Sequence, residues 1–232
     1  MQQFYDRYTE ARLADPRHES ASRWKAAMLA ATYLETGELC GSHLTIAEIG
    51  GGFGTVVNAL GLILGSERLT VYDISAKACE EGKKAYPGTT FINAPYGEGN
   101  RSSWDIVVLC DVTEHVEDED SLLRTVAEDT RFALLKIPIE KCLWRVWRRL
   151  KGKPPGFSWG PDHQSGHLRG YTLWSAKRLV RRHFHVVNTS LSESVWFYGS
   201  ARSLRLAMRV GKYISVMIFG GSLCVLARPW AR

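Results

Sequence analysis

The sequence predicts a doubly wound α/β fold, in which a mostly parallel, seven-stranded sheet carries helices on both faces and a helical cap. The 232 residues are 45% apolar and 23% charged, a composition that supports a full hydrophobic core. Short runs rich in Val, Ile and Leu alternate with runs of helical periodicity, which is typical of a parallel sheet. No internal repeat or low-complexity linker divides the chain, so we expect a single domain.

Each predicted strand is a short β-branched or aromatic run, and the gaps between strands suit right-handed helical crossovers. The predicted strands are residues 44–49, 69–73, 89–93, 105–110, 132–137, 184–190 and 223–227. The predicted helices are residues 55–64, 75–86, 118–129 and 172–183, with another around 200–210. An earlier helix begins at a capping Ser20 or Ser22 and ends near Gly37. We expect it to pack on the sheet through Trp24, Ala27, Met28, Ala31 and Leu34.

Charge and cysteine content limit the class of protein without selecting a partner. Thirty basic against 24 acidic residues give a net charge of +6, which suits an acidic small molecule, a nucleic acid or an anionic membrane. The five cysteines form no CxxC pair, so we expect a reducing, cytoplasmic setting without disulfides. No signal-peptide core is visible near the start, and the uncharged stretch Tyr213–Ala227 is expected to be buried structure.

The strongest functional signal is the segment AEIGGGFGT, which joins a predicted strand to a predicted helix. It contains Glu48, Gly50, Gly51, Gly52 and Gly54. Glycines at such a bend let the backbone turn tightly and approach a ligand beyond the strand ends. The dinucleotide pattern GxGxxG fits poorly, because Thr55 stands where its third glycine belongs. A carboxylate at Glu48 suits a cationic ligand better than a pyrophosphate.

The pattern ExGxGxG resembles motif I of the class I S-adenosylmethionine-dependent methyltransferases, and the likeness extends from about Phe4 to Leu226. The resemblance implies a Rossmann-like fold with S-adenosylmethionine as the cofactor. Glu48 and the motif glycines would then form the cradle for the methionine side of the cofactor. Asp73, which ends the next strand, would accept hydrogen bonds from the ribose hydroxyls, with Ile74 beside the adenine. The alternative for Asp73 is a helix cap before Ser75.

The ends of the third and fourth strands supply further expected cofactor contacts. Asn93, or the backbone near Ala94, would contact the adenine, although relatives often have an acidic residue at this point. A turn that only ends the strand is the alternative. Cys110 and Asp111, at the end of the fourth strand, would line the cofactor.

Two histidines are the candidate catalytic residues. The segment CDVTEHVED resembles the Glu-His-Val loop of small-molecule methyltransferases, and GPDHQSGHLRGYT resembles a Gly-His-Leu-Arg stretch in methyltransferases of small molecules, lipids and glycan precursors. By this resemblance His115 or His167 would take a proton from the acceptor. The alternative for each histidine is a loop residue that ties the cap to the sheet.

Candidate substrate residues flank these segments. They are His163 and Tyr171 in the second segment and Tyr5 and Tyr8 in FYDRYTEAR, which is similar to an aromatic segment that folds over the cofactor. Aromatic anchoring of a terminal helix is the alternative for the two N-terminal tyrosines. No metal is expected, because Asp162, His163 and His167 have no clear fourth ligand.

The resemblance implies transfer of a methyl group to oxygen or nitrogen of a small-molecule or lipid-linked acceptor. Nucleic acid is not the expected partner, because the chain lacks a Pro-Pro-aromatic signature after the fourth strand. A non-catalytic S-adenosylmethionine-binding or partner protein, and a basic RNA-directed methyltransferase, are the alternatives.

The division of the single domain that we expect is an N-terminal helical cap at 1–43, a cofactor-binding core at 44–138, a cap insertion and late helix at 139–183, and C-terminal strands at 184–232.

The segment KCLWRVWRRLKGK has two interpretations. As a helix it places Leu143, Trp144, Trp147 and Leu150 on one side, surrounded by Arg145, Arg148, Arg149 and Lys151. Such a helix either covers the active site with its tryptophans or lies on an anionic membrane surface, which would make the protein peripheral to the membrane.

Overall fold

A seven-stranded sheet forms the centre of the computed structural model, which describes residues 9–10, 15, 17–38, 40–97, 99–152, 166–193, 211–218 and 220–230. The strands are β1 Thr45–Ile49, β2 Arg68–Tyr72, β3 Thr90–Ile92, β4 Trp104–Cys110, β5 Thr130–Ile139, β6 Phe184–Glu193 and β7 Gly221–Pro229. The helices are α1 His18–Leu34, α2 Thr55–Leu64, α3 Ala76–Ala85, α4 Glu119–Asp129, α5 Leu143–Leu150, α6 Leu173–His183 and α7 at 211–218.

The sheet has the strand order β3-β2-β1-β4-β5-β7-β6. β1 to β5 pair in parallel, while β7 is antiparallel to both β5 and β6. This confirms the predicted Rossmann-like, mostly parallel seven-stranded sheet. The chain reverses its direction of progress along the sheet between β1 and β4, and the crevice at their carboxyl ends is where folds of this type bind ligands.

Helices cover both faces of the sheet, as the doubly wound prediction requires. Alternate residues of one strand enter different apolar clusters: Ile46 packs with α1 and α2 on one face, and Ala47 packs with α4 and α6 on the other. Burial of both faces explains why the central strands are almost continuously apolar. The sheet therefore holds its strand ends rigidly around the crevice.

The predicted packing face of α1 was wrong. The helix buries Ser22, Ala26, Leu29, Ala30, Thr32 and Tyr33, whereas Trp24 and Leu34 are exposed. Alanines and other apolar residues recur at helical spacing around more than one side of α1, so periodicity does not determine which side meets the sheet. The helix also begins at His18, before both predicted serine caps, and the Ser20 hydroxyl donates to the Arg17 carbonyl.

Two further expectations concern the C-terminal third. The helix predicted around 200–210 lies outside the described residues. The stretch Tyr213–Ala227 is only partly buried: its β7 portion lies in the core, but Tyr213, Ile214 and Met217 on α7 are exposed. The antiparallel pairs of β7 with β5 and β6 account for burial of the strand, and α7 lies outside this sheet. Among the helices the structure describes, none combines the length and apolar character needed to cross a membrane.

Candidate active site

The glycine turn joins β1 to α2 in a left-handed backbone conformation. Gly50, Gly52 and Gly54 have φ values of 66°, 55° and 74°, which residues with a Cβ adopt only at a cost. The Gly50 N–H donates to the carbonyl of Tyr72 at 2.7 Å. A Cβ at Gly50 would lie 3.0 Å from a methyl group of Val112. The turn therefore fits closely beneath the ends of the neighbouring strands.

Glu48 has a local structural partner as well as a place in the site. Its side chain is buried, and Oε2 accepts a hydrogen bond from the Val57 N–H at 3.0 Å, in the first turn of α2. A Cβ at Gly51 would lie 2.9 Å from the same oxygen, so a side chain at this position would displace the Glu48 carboxylate. The carboxylate satisfies an otherwise unpaired helix N–H and contributes to the wall of the adjacent cavity.

Asp73 connects the end of β2 to the glycine turn. Its Oδ2 accepts from the Gly52 N–H at 2.7 Å, and its Oδ1 accepts from the Ser75 N–H at 2.8 Å. Ser75 itself caps α3, because its hydroxyl accepts from the Ala78 N–H. The capping role considered for Asp73 thus belongs to Ser75. Each carboxylate oxygen of Asp73 has a second lone pair that can accept a ligand hydroxyl.

A cavity of about 470 Å³ lies over these strand ends, within the size range of small-ligand sites. Most of the predicted cofactor residues line it: Glu48, Gly50, Gly51, Gly52, Asp73, Ile74, Ala94, Cys110 and Asp111. Backbone at the glycine positions borders the space, and a Cβ at Gly52 would meet only Asp73, at 4.0 Å. The cavity therefore brings the open backbone of the glycine turn and the Asp73 carboxylate to one place, as the predicted cofactor site requires.

Two predicted cofactor contacts have other roles in the structure. Gly54 does not line the cavity, and a Cβ there would lie 2.9 Å from the Phe91 ring, so this glycine allows close packing of α2 on the sheet. The Asn93 amide donates to the Asp73 backbone carbonyl at 2.9 Å, and Asn93 is also absent from the cavity wall. We therefore assign both residues to supporting the turn and strand ends.

The N-terminal segment also lines the cavity. Thr9, His18, Ser22 and Lys25 line the cavity, and the Thr9 hydroxyl lies 3.2 Å from that of Ser75. The His18 ring packs edge-on against Phe53 with 5.5 Å between ring centroids. Tyr5 and Tyr8, the predicted lid residues, lie outside the described residues and stay a prediction.

Asp111 is paired with two lysines at the cavity. Its carboxylate lies 2.7 Å from Lys136 Nζ and 2.9 Å from Lys25 Nζ. Burial alone would raise the pKa of Asp111, but the two ammonium groups outweigh burial and hold it well below its ordinary range. Asp111 also adopts a positive φ of 58°. Sequence reasoning missed both lysines, although a lone lysine in the apolar strand FALLKIPI was a usable signal.

The two candidate catalytic histidines meet at the edge of the cavity. Their rings are nearly perpendicular, with centroids 4.7 Å apart. His115 lines the cavity, and its Nδ1 lies 3.1 Å from the Gly166 carbonyl oxygen. His167 Nδ1 lies 3.0 Å from Oε2 of the buried Glu140. The structure thus brings together two distant segments of the chain, with His167 behind His115.

Tyr171, predicted to contact substrate, has a structural position instead. It is buried, and its hydroxyl donates to the Thr113 carbonyl at 3.2 Å. Burial raises the pKa of the Tyr171 hydroxyl, so it stays protonated and able to donate. The Arg169 guanidinium binds the same β4–α4 loop through backbone carbonyls. The other residue expected to contact substrate from this segment, His163, lies outside the described residues.

Glu114 is a buried carboxyl group that sequence reasoning missed. Its side chain is fully buried beside His115, and neither carboxyl oxygen has a hydrogen-bond partner among the residues the structure describes. Burial, and then repulsion from Asp111, raises the pKa of Glu114 well above its ordinary value. The EHV triplet drew attention to the histidine, while its glutamate neighbour is the more deeply buried group.

The helix predicted at 141–153 is present as α5, but it does not cover the cavity. No residue of α5 belongs to the described cavity wall. Leu143, Val146, Trp147 and Leu150 are exposed, and Trp144 stacks on Trp147. The described residues therefore do not support the interpretation of α5 as an active-site cover.

The comparisons with known proteins agree with this fold. Residues 47–129 match the family described as "Methyltransferase domain". This stretch runs from β1 to the end of α4 and includes the glycine turn, Asp73, Asp111 and His115. None of the curated proteins matches the chain closely enough in sequence to serve as a relative.

Solved structures share the fold at low sequence identity. Magnesium protoporphyrin IX methyltransferase from Synechocystis PCC 6803 with bound SAH is 15% identical, with a TM-score of 0.60 over 89% of this chain and 83% of that one. An S-adenosylmethionine-dependent methyltransferase from Mesorhizobium loti is 16% identical, with a TM-score of 0.54 over 85% and 95%. The cyclase SpnF is 10% identical, with a TM-score of 0.62 over 94% and 85%.

The domain match and the cavity together support a methyltransferase that uses S-adenosylmethionine as its cofactor. The similarity to a cyclase shows that this fold also serves another reaction, so fold alone does not identify the acceptor.

Proposed function

We propose that this methyltransferase transfers a methyl group to an oxygen or nitrogen atom of a small-molecule or lipid-linked acceptor, which binds at the His115 edge of the cavity. One observation carries the proposal: a single cavity extends from the glycine turn to His115. The expected cofactor half and the His115 side chain therefore share one cavity. Such an arrangement holds two reactants in line, which is the main requirement of methyl transfer.

The cofactor half can be assigned residue by residue. We expect the backbone of Gly50, Gly51 and Gly52 to bind the methionine side and Asp73 to bind the ribose hydroxyls. Ile74 and Ala94 would contact the adenine. Lys25 and Asp111 provide one positive and one negative side chain for the carboxylate and amino groups of the methionine side. When bound, S-adenosylmethionine supplies a methyl group that its positively charged sulfur has already activated.

The acceptor half depends on the histidine pair. Each Nδ1 faces an oxygen acceptor, the Gly166 carbonyl for His115 and the Glu140 carboxylate for His167. In the neutral ring this contact places the proton on Nδ1 and the lone pair on Nε2. The two histidines can therefore promote loss of a proton from the acceptor. Glu140 would act on the reaction through His167, as a positioning residue.

Turnover of labelled cofactor with a panel of hydroxyl and amine acceptors tests this proposal. We expect His115→Ala and His167→Ala to lower turnover about 100-fold while cofactor affinity stays unchanged, which is typical of a lost proton acceptor. His183→Ala is the matched control, because His183 also pairs with a carboxylate, Asp120, away from the cavity wall. Parental turnover of both test variants between pH 6 and 9 would disprove a catalytic role for the pair.

A second observation favours an acceptor at a membrane surface. The exposed side chains of α5 and α7 form what we call the apolar face: Leu143, Val146, Trp147, Leu150, Tyr213, Ile214 and Met217. The segment that follows α7 lies near the residue that precedes α5, because a Cβ at Gly220 would lie 3.6 Å from Cys142 Sγ. Exposed apolar residues grouped in this way mark interaction surfaces.

The charge of the C-terminal part of the sequence favours an anionic partner for this face. Residues 141–232 contain 17 Lys and Arg but only two acidic residues, Asp162 and Glu193, whereas residues 1–140 have a net negative charge. Lys141, Lys151 and Lys212 are exposed at the ends of α5 and α7. Basic residues beside exposed Trp and Leu side chains are typical of segments that lie in the interface of an anionic membrane. A lipid-linked acceptor would fit this location.

Vesicle sedimentation tests the membrane contact. The protein should bind vesicles that contain anionic lipid, release at high salt, and lose binding when Trp147 and Leu150 are both replaced by Ala. Leu62→Ala is the control, because Leu62 is equally exposed but lies on α2. Absence of binding at low salt would disprove the contact, and salt-dependent RNA binding in its place would favour an RNA-directed methyltransferase.

A further inference from the structure

Glu114, His115 and His167 bring three metal-ligand atoms together beside the cavity. Each offers one oxygen or nitrogen, and these atoms lie within 4.8 Å of one another. Glu114 Oε1 is 4.0 Å from His115 Nε2. Ligand atoms that share a zinc-sized ion lie about 2.0–2.2 Å from it, so side-chain shifts on the order of 1 Å would bring the set into range.

The surroundings of the two histidines match those of metal ligands. A histidine that binds a metal through one nitrogen usually donates the other N–H to a carboxylate or a backbone carbonyl. His167 Nδ1 faces the Glu140 carboxylate, and His115 Nδ1 faces the Gly166 carbonyl. In the neutral tautomer that these contacts favour, Nε2 of each ring carries the lone pair that can bind an ion. The same contacts would also suit a histidine that accepts a proton. Glu114, the third residue of the set, therefore distinguishes a metal site from a pair of proton acceptors.

Glu114 is the observation that points to a cation. A fully buried carboxyl group without a hydrogen bond is costly to bury, whether it is charged or neutral. Neither oxygen of Glu114 has such a bond within the described ranges. The loop that carries Glu114 is nevertheless fixed, because its carbonyl accepts from Leu168 N at 2.8 Å. A divalent cation would give the carboxylate both a charge partner and a ligand bond.

We propose that Glu114, His115 and His167 bind a first-row divalent metal ion that coordinates the acceptor oxygen. This inference rests on the proposed function and states how the histidine pair acts. Two imidazoles and one carboxylate suit Zn²⁺, Fe²⁺ or Mn²⁺ better than Ca²⁺, which prefers oxygen ligands. The set differs from Asp162, His163 and His167, which the sequence analysis set aside because they have no clear fourth ligand. The proposal departs from the expectation that no metal binds.

The position of the ion gives it a chemical role. Because His115 lines the cavity, an ion bound by this set would face the acceptor through its remaining coordination positions. Coordination lowers the pKa of a bound hydroxyl, which would release its proton to water. The oxygen lone pair would then form the bond to the methyl carbon while the sulfur–carbon pair remains on sulfur, which yields a methyl ether and a neutral thioether. In this form the histidines are ligands and not proton acceptors.

Metal binding to the full chain, stripped with a chelator and free of cofactor, tests the proposal directly. Electron paramagnetic resonance should show one tightly held Mn²⁺ per chain, which Zn²⁺ displaces. Glu114→Gln and His167→Ala should each weaken binding about 100-fold or more, and Glu140→Gln about 10-fold, as an outer hydrogen-bond partner would. His183→Gln is the control for adventitious binding, because His183 and Asp120 form a histidine–carboxylate pair elsewhere.

The outcomes separate this inference from the proposed function. Failure of Mn²⁺ and Zn²⁺ to bind at about 1 mM, or equal binding by Glu114→Gln in a variant that melts like the parent, would overturn the metal site. If the chelated protein then still methylates and depends on His115, direct proton transfer to histidine accounts for the reaction. If the parent binds metal and the variants do not, but no acceptor is methylated, the metal site is supported and the proposed function is refuted.

Discussion

The Arg169 guanidinium donates a hydrogen bond to the backbone carbonyl of Val116 at 2.5 Å. The same side chain donates to the carbonyls of Thr113 and Glu117 and forms an ion pair with Glu119. One arginine from the segment before α6 therefore holds the β4–α4 loop, which carries Glu114 and His115. A planar guanidinium with five donors can satisfy several carbonyls at once.

We expect Arg169→Met to loosen this loop and lower turnover, because three backbone carbonyls would lose their donor. Hydrogen exchange should become faster at 112–118, while exchange in the central strands stays unchanged. Arg178→Met is the control, since Arg178 lies over the exposed Trp174 ring on α6. Unchanged exchange in the Arg169 variant would show that other contacts are sufficient to hold the loop.

Gly52→Val should block cofactor binding. The backbone at Gly52 has a φ of 55°, and a side chain there would project past Asp73 into the cavity. A branched residue therefore strains the turn and occupies ligand space. Calorimetry with S-adenosylmethionine measures the loss, and Gly88→Val is the control because a Cβ at Gly88 meets nothing within 4 Å. Parental affinity in a folded Gly52→Val protein would contradict the cradle assignment.

Asp73→Ala should weaken cofactor binding by about 1.5 to 3 kcal/mol, the range for hydrogen bonds to a charged group. The structure adds a second effect, because the Gly52 and Ser75 N–H groups would also lose their acceptor. We therefore expect a small decrease in melting temperature together with the affinity loss. Asp73→Asn should retain part of the cofactor affinity and part of the melting temperature, since its amide oxygen still accepts hydrogen bonds. A normally melting Asp73→Ala protein with full affinity would exclude the ribose role.

Asp111→Asn should lower the free energy of unfolding by about 3–5 kcal/mol at neutral pH, because it leaves the buried Lys136 without its countercharge. The pKa of Asp111 is lower in the folded protein, so the pair stabilises the fold above the unfolded-state pKa of about 4. That stability is lost only as pH falls further, through the lower folded-state pKa. Urea unfolding at pH 7 and at pH 5 should give the same difference in free energy of unfolding between the parent and Asp111→Asn. If that difference is already absent at pH 5, the pairing of Asp111 with Lys136 is contradicted.

The sequence by itself determined the sheet, most helix positions and most of the strand-end residues that line the cavity. Helix α2 spans the predicted residues 55–64, and the glycine turn lies between β1 and α2 as expected. These features follow from local signals, namely alternation of strand and helix periodicity and glycines where the backbone has positive φ. Asp73 could be placed for the same reason, because parallel strands end on one edge of the sheet.

Only the tertiary structure decided which side of α1 is buried, which charges pair, and which residues surround the histidines. Ala26 rather than Trp24 meets the sheet, because the fit against neighbouring elements chooses between similar helix faces. Lys136 meets Asp111 across adjacent strands, and His167 meets His115 because a later segment folds over the β4–α4 loop. These contacts join residues far apart in the chain, and no local periodicity specifies such a meeting.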